Sequence, residues 1–305
     1  MSTTAGALRR NFRADLAGFT MGRATAWRHK AVAAPNWGQV GLEQVMASIA
    51  QIDDRTADIA MVAERFAADG FAVVNDLADA DCVAELRRVY DGMLDGSIPC
   101  PTTDRMLGGV TRQLTNPHRF HPAFRDNIAV ERAKDYAAKI LGCDRPDIIF
   151  SMMIYKPGGH DKDTPWHMDM SYTHMPALWA GAQVPNNLNI TFWLALDDVD
   201  ETMGCMEFIP GVQNNPMPEH FVASGEASED TRLLAIRDPE SVLDLSMAVQ
   251  CPIPAGAATI HGYSTPHYTG PNRSPRQRRA YIFSFARPDI AEVMTDVLVK
   301  GRSQA

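Results

Sequence analysis

The residues best equipped for chemistry are His167 and Asp169, within Pro165-Trp166-His167-Met168-Asp169-Met170-Ser171-Tyr172. If that segment is extended, side chains at i and i+2 share a face, about 7 Å apart along the strand. An imidazole nitrogen and a carboxylate oxygen placed so can bind one ion. Well downstream, His261-Gly262-Tyr263-Ser264-Thr265-Pro266-His267 offers two further histidines as a third ligand, followed by a run of arginines. Two histidines and one carboxylate on one face of an octahedral ion leave three positions open, the ligand set of non-haem Fe(II) oxygenases. Those positions suit a bidentate 2-oxo acid and then dioxygen. The far carboxylate of such a diacid calls for a planar guanidinium, which grips both oxygens where a lysine acts as a point charge.

The pattern resembles a known family. His-x-Asp, then His267-x-x-Gly270-x-Asn272-x-Ser274 with Arg278 eleven residues after His267, is similar to the phytanoyl-CoA dioxygenase family of Fe(II)/2-oxoglutarate oxygenases. Thr191-Phe192-Trp193-Leu194-Ala195-Leu196-Asp197-Asp198 and Met203-Gly204-Cys205-Met206-Glu207-Phe208-Ile209-Pro210-Gly211 look like that family's middle, so the resemblance runs from about Phe71 to Arg287. It implies Fe(II), 2-oxoglutarate and dioxygen as cofactor and co-substrates, with His167, Asp169 and His267 as catalytic metal ligands. It further implies Arg278, Trp193 and Ser274 at the 2-oxoglutarate site. The carboxylate of Asp169 fills the position that halogenating relatives leave to chloride, which favours hydroxylation. Val212-Gln213 departs from the Ser-His that many members carry after the Pro-Gly turn, at a position that touches no ligand.

The residues themselves discriminate within this set. His267 heads the downstream motif, whereas His261 follows an apolar strand and reads as a near-site or core histidine. The other six histidines read as surface or loop residues, with His174 close enough to Asp169 to touch substrate. Alternation sends Arg278 to one face with Ala280, Ile282 and Ser284, and Arg279 to the other with Tyr281, Phe283 and Phe285. The small-residue face leaves room for a ligand, so Arg278 is the expected clamp. Asn272 and Ser274 are turn residues by chemistry. Met170, Tyr172 and His174 are the candidate substrate contacts. Two other readings stand beside the oxygenase: a cupin-type metal enzyme that does not use 2-oxoglutarate, and a catalytically inactive jelly-roll binding protein.

The elements that must position these residues form an α+β pattern, with helices first and strands later. Helical stripes run from Leu42 to Ile52, from Asp58 to Gly70, from Asp79 to Gly96, and from about Pro122 to Gly142. The last of these buries Phe124, Ile128, Tyr136, Ile140 and Leu141. The segment before Arg112 reads as a loop. Strands are expected at Ile148–Tyr155, Asn189–Ala195, Cys205–Ile209, Ala257–His261 and Arg279–Ala286. The family implies a double-stranded β-helix (jelly roll, cupin-like) with the N-terminal helices outside the major sheet. The expected organisation is an extension over 1–55, an oxygenase domain over 56–290 with an insertion at about 212–250, and a C-terminal helix and tail over 291–305.

Of 305 residues, 45% are hydrophobic and 22% charged, enough for a full core. A net charge of −8 argues against a nucleic-acid surface. Five scattered cysteines without a CxxC pair fit reduced thiols in the cytoplasm. No apolar run approaches a membrane span. The expected partner is a small-molecule substrate, a metabolite or natural product rather than an acyl-CoA, since no basic patch suits a nucleotide 3′-phosphate. Residues 1–55 are expected to pack on the core or to mediate a homodimer.

Overall fold

The computed structural model describes residues 42–101, 104–107, 111–172, 186–223 and 233–288. The chain divides into two units between Ala50 and Gln51, and apart from the first residues of one helix everything below concerns the second. His174, most of the N-terminal extension and the C-terminal tail expected from the sequence lie outside the described residues. Among the described residues no helix is long and apolar enough to cross a membrane.

Helix α1 (Leu42–Asp69) joins the two stripes read as separate helices. No Pro or Gly interrupts Leu42 to Asp69, so nothing ends the first stripe. Strand β1 (Phe71–Val74) follows. Helix α2 (Ala80–Asp95) starts where the Asp79 carboxylate accepts from the Cys82 amide at 2.9 Å, and it stops at Gly96 in the left-handed region. The hairpin β2 (Asp104–Leu107) and β3 (Thr111–Thr115) occupies the segment read as a loop. Helix α3 (Ile128–Leu141) is shorter than the periodicity predicts, because the Asn127 side chain caps it at Val130 and Pro122–Phe124 form a separate 3₁₀ turn. Ile128, placed in the first turn, is 39% exposed and is not the core residue the stripe suggests.

The large sheet runs β1-β11-β6-β13-β4-β3-β2, all antiparallel, with β4 (Ile148–Lys156), β6 (Asn189–Ala195), β11 (Ala258–His261) and β13 (Arg278–Ala286). The small sheet runs β10-β7-β12-β5, with β5 (Thr164–His167), β7 (Met206–Phe208), β10 (Val249–Cys251) and β12 (His267–Thr269). A two-stranded sheet, β8 (His220–Val222) and β9 (Leu234–Ile236), lies in the expected insertion.

Alternation along the central strands sorts side chains between two cores. Phe192, Leu194, Ile260, Tyr281 and Phe283 face the helices together with Leu86, Tyr90 and Val130. Trp193, Ala195, Ala257, Ala280 and Ile282 face the small sheet with Met206 and Phe208. Such a sheet, helices on one face and a second sheet on the other, leaves an enclosed inner face on which polar side chains can be held dry.

Candidate active site

The inner face holds the metal-capable residues. β5 ends on His167, and Asp169 opens a 3₁₀ turn over Asp169–Tyr172 rather than continuing the strand. The turn is pinned by the Met170 amide donating to the Tyr263 carbonyl at 3.0 Å and by Ser171 donating to the Met168 carbonyl at 2.7 Å. Asp169 therefore reaches the site by a change of direction, not by strand alternation. β12 places His267 opposite both His167 on β5 and Phe208 on β7.

Among the described residues, His167, Asp169 and His267 form a group that can hold a metal, with one donor atom each and all three within 4.8 Å of one another. The imidazole tautomers suit that role. The Nδ1–H of His167 donates to the Pro165 carbonyl at 2.8 Å, and that of His267 to the Thr265 carbonyl at 3.0 Å. A carbonyl can only accept, so each Nε2 keeps its lone pair. These nitrogens lie 3.9 Å and 3.7 Å from Asp169 Oδ1. Burial lowers both histidine pKa values, which keeps the rings neutral and ready to ligate. Asp169 is pushed up by burial, yet the surrounding histidines draw it well below its ordinary value.

His261, the rival third ligand, sits beside the group but outside it. Its Nε2 is 3.4 Å from Asp169 Oδ2, its ring centroid is 4.3 Å from that of His267, and neither ring nitrogen has a well-aligned hydrogen-bond partner among the described residues. Thr191 Oγ1 also reaches Oδ2, at 3.4 Å, and Ser284 Oγ lies 3.0 Å from Thr191 Oγ1. The turn bearing His267 is clamped by Asn186, which accepts from Ser264 and Thr265 and donates to the Gly70 carbonyl. A Cβ at Gly262 would lie 2.2 Å from Asn186 Oδ1, so that close approach requires glycine.

The two arginines part as alternation predicts. Arg279 faces outward and pairs with Asp197 at 2.6 Å and Asp91 at 2.7 Å. Arg278 is 1% exposed on the inner face, donates through Nη1 to the Gly204 carbonyl, and lies 5.4 Å from the Trp193 ring centroid. Its Nε has no partner among the described residues. Sequence reasoning missed the residue opposite it. Lys156, at the end of β4, is fully buried in register with Arg278. Its Nζ donates to Thr269 Oγ1 at 3.1 Å and to the Gly270 carbonyl at 2.9 Å. Among the described residues, neither cation forms a salt bridge to a carboxylate. Burial, with Arg278 alongside, pushes the Lys156 pKa down to about 6, and burial pushes Arg278 down to about 10. Two buried cations facing each other without a carboxylate cost stability unless an anion joins them.

The remaining candidates occupy varied places. Ser274 Oγ donates within its own turn, to Asn272 Oδ1 at 2.8 Å and the Arg276 carbonyl at 3.2 Å, while Asn272 Nδ2 ties that turn to the end of β4 through the Lys156 and Pro157 carbonyls. Met170 is buried in the Asp169 turn. Tyr172 stands edge-on to the His167 ring at 5.7 Å, and its hydroxyl accepts from the Leu234 amide at 3.0 Å. Three histidines read as surface or loop residues are otherwise: His118 and His160 are buried, and His220 Nε2 accepts from the Met168 amide at 3.1 Å, between the two ligands. The insertion is thereby braced on the ligand strand from both sides.

Known proteins resemble this chain in sequence and fold. The chain is 25% identical over 200 residues to the probable alpha-ketoglutarate-dependent hypophosphite dioxygenase of Stutzerimonas stutzeri, covering 63% of this chain and 65% of that protein, just under two thirds of its length. It is 28% identical over 273 residues to the ectoine dioxygenase of Stutzerimonas stutzeri strain A1501, covering 84% and 85%. The crystal structure of EvdO2 from Micromonospora carbonacea var. aurantiaca complexed with 2-oxoglutarate superimposes with a TM-score of 0.59 at 26% identity, covering 74% of this chain and 89% of that one. Residues 66–280, from the end of α1 through the buried guanidinium, match the phytanoyl-CoA dioxygenase (PhyH) family, and the chain belongs to it.

Proposed function

We propose that the protein is a non-haem Fe(II)- and 2-oxoglutarate-dependent dioxygenase that hydroxylates an aliphatic C–H of a small metabolite or natural product. The observation that carries this is the pairing, on one inner face, of a His-Asp-His group with a buried arginine and a buried lysine that have no carboxylate partner among the described residues. A metal enzyme that did not use a diacid would have no use for Lys156 and Arg278 there, and an inactive binding protein no use for two histidines with free Nε2 atoms. We read the two packed sheets as a double-stranded β-helix. The relatives act on compounds as different as ectoine and hypophosphite, which supports a small polar substrate without choosing it.

His167, Asp169 and His267 would hold Fe(II), and the Lys156–Arg278 pair would take the distal carboxylate of 2-oxoglutarate. Bound together with dioxygen, these supply the oxidising power for C–H hydroxylation. The protein's part is positional. The backbone carbonyls of Pro165 and Thr265 fix the imidazole tautomers, Trp193 stacks under the guanidinium, and the apolar face between the sheets excludes water. Met170 and Tyr172, in the turn that Asp169 opens, would meet the substrate.

The test is the ultraviolet-visible difference spectrum of anaerobic protein with Fe(II) and 2-oxoglutarate, for the wild type and Arg278→Ala. A weak visible charge-transfer band in the wild type, lost or strongly weakened in the variant, is the expected result. Bound iron without a band would instead favour a cupin-type enzyme, and failure to bind iron would favour a binding protein.

A further inference from the structure

The two oxygens of Asp169 have different surroundings. Oδ1 faces the Nε2 atoms of His167 and His267, while Oδ2 faces His261 Nε2 and Thr191 Oγ1, each at 3.4 Å. Thr191 is itself backed by Ser284 at 3.0 Å. His261 is 2% exposed, packs against the His267 and Phe208 rings, and makes no well-aligned hydrogen bond through either nitrogen among the described residues, with Asp169 Oδ2 lying 3.4 Å from its Nε2. A buried imidazole so placed has one favourable use for an N–H, which is to give it to the nearest acceptor. A carboxylate with one oxygen engaged by two donors presents the other oxygen alone.

We propose that His261 is a positioning residue: with Thr191 it holds Asp169 Oδ2, so that Asp169 ligates the metal through Oδ1 only and a coordination position stays open for the 2-oxo acid or dioxygen. This rests on the reading of His167, Asp169 and His267 as metal ligands. A bidentate Asp169 would occupy that position with its second oxygen, and a side chain that swings between the two modes would bind metal more weakly. Removing such a supporting partner commonly costs about 10–100-fold in metal affinity.

The experiment compares wild type, His261→Leu, His261→Gln and Thr191→Val as full-length protein loaded with Co(II). Circular dichroism and thermal melting of the metal-free forms check folding. The readouts are Co(II) affinity, the visible d–d spectrum, and the infrared separation of the carboxylate stretches on metal binding, which is wide for a one-oxygen ligand and narrow for a two-oxygen one. His261→Leu is expected to lose about 10–100-fold in affinity and to narrow that separation. A glutamine amide keeps an N–H donor near the place of Nε2, so His261→Gln restores most of both. Thr191→Val produces a smaller change of the same kind, and carries the test with His261→Gln if His261→Leu does not fold. Unchanged affinity and stretches in folded His261→Leu would overturn the proposal. So would equal loss in His261→Leu and His261→Gln with a d–d spectrum showing one nitrogen fewer, which would make His261 a ligand. A wild type that binds no Co(II) would sink the metal-centre reading itself, and this inference with it.

Discussion

On the proposed function, Lys156 should make co-substrate binding depend on pH. Its ammonium is buried opposite Arg278, with Thr269 Oγ1 and the Gly270 carbonyl as its hydrogen-bond partners. The charged and titratable groups bearing on it are Arg278, Asp163 and His160. Arg278, lowered only to about 10, stays charged throughout the neutral range, and burial holds His160 below its ordinary value. Lys156, at about 6, is therefore the group that changes state there. At pH 8, two units higher, about 1% of the protein carries the proton, so a ligand needing the ammonium binds about 100-fold more weakly than to the protonated form, about 2.7 kcal/mol. A dianion stabilises the ammonium and raises its pKa, so 2-oxoglutarate binding takes up a proton. Calorimetric titration of 2-oxoglutarate into Zn(II)-loaded protein, in two buffers of different ionisation enthalpy, should show uptake approaching one proton at about pH 7.5 and a Kd that rises towards about tenfold per unit above about pH 6.5. Lys156→Met should bind more weakly at the lower pH and lose the pH dependence. A wild-type Kd flat from there to about pH 8, with no buffer-dependent heat, would refute the reasoning.

The same lysine destabilises the apoprotein. Its folded pKa of about 6 lies below the ordinary 10.5, so the unfolded chain binds the extra proton between those values and the Lys156 contribution to stability rises with pH across that window. Lys156→Met should stabilise the metal-free protein by about 1–4 kcal/mol in a chemical melt at neutral pH while abolishing tight co-substrate binding. The neighbouring arginines should separate cleanly: Arg278→Ala loses 2-oxoglutarate binding and keeps the fold, whereas Arg279→Ala leaves Asp197 with Arg87 at 3.5 Å as its remaining cation and costs about 1–3 kcal/mol by urea unfolding. His220→Ala removes the acceptor of the Met168 amide and should cost about 1–3 kcal/mol in stability, with weaker metal binding in a Co(II) titration. Gly204→Ala should fail to accumulate as folded protein on size exclusion, because a Cβ there would stand 2.1 Å from the Gly270 carbonyl oxygen at a φ of +71°.

Much of the site was legible because its signals are local. The Arg278–Arg279 choice follows from the spacing after His267 and from period-two alternation, which β13 obeys from Ala280 to Phe283. The helical stripes, their glycine stops and the central strands are likewise short-range patterns. What escaped depends on partners distant in sequence. The Asp169 turn is held by Tyr263, so the His-x-Asp spacing could not reveal that the strand ends at His167. Lys156 lay one residue beyond the expected strand Ile148–Tyr155, although counting by twos from Met152 and Ile154 puts it on the inner face. His220 owes its role to a backbone amide 52 residues away. The short strands β2, β8, β9, β10 and β12 take their form from pairing with neighbouring strands rather than from composition.

The rows of the large sheet set a length. Across the inner face, Ser284 and Thr191 mark the metal end, Ile282 and Trp193 the next row, and Ala280 and Ala195 the one after, before Arg278 and Lys156. Each row is a two-residue step of about 6.6 Å, and the alanines contribute only methyl groups where the long cationic side chains must fold back towards the metal. Pairing register thus acts as a ruler whose two marks, metal and guanidinium, are spaced by β-sheet geometry rather than by flexible loops. On the proposed function, a 2-oxo diacid one carbon shorter would leave its carboxylate short of the cations, and one carbon longer would collide with them. Ala280→Val or Ala195→Val would shorten the accessible slot, turning a choice among diacids into a question of methylene count rather than of charge.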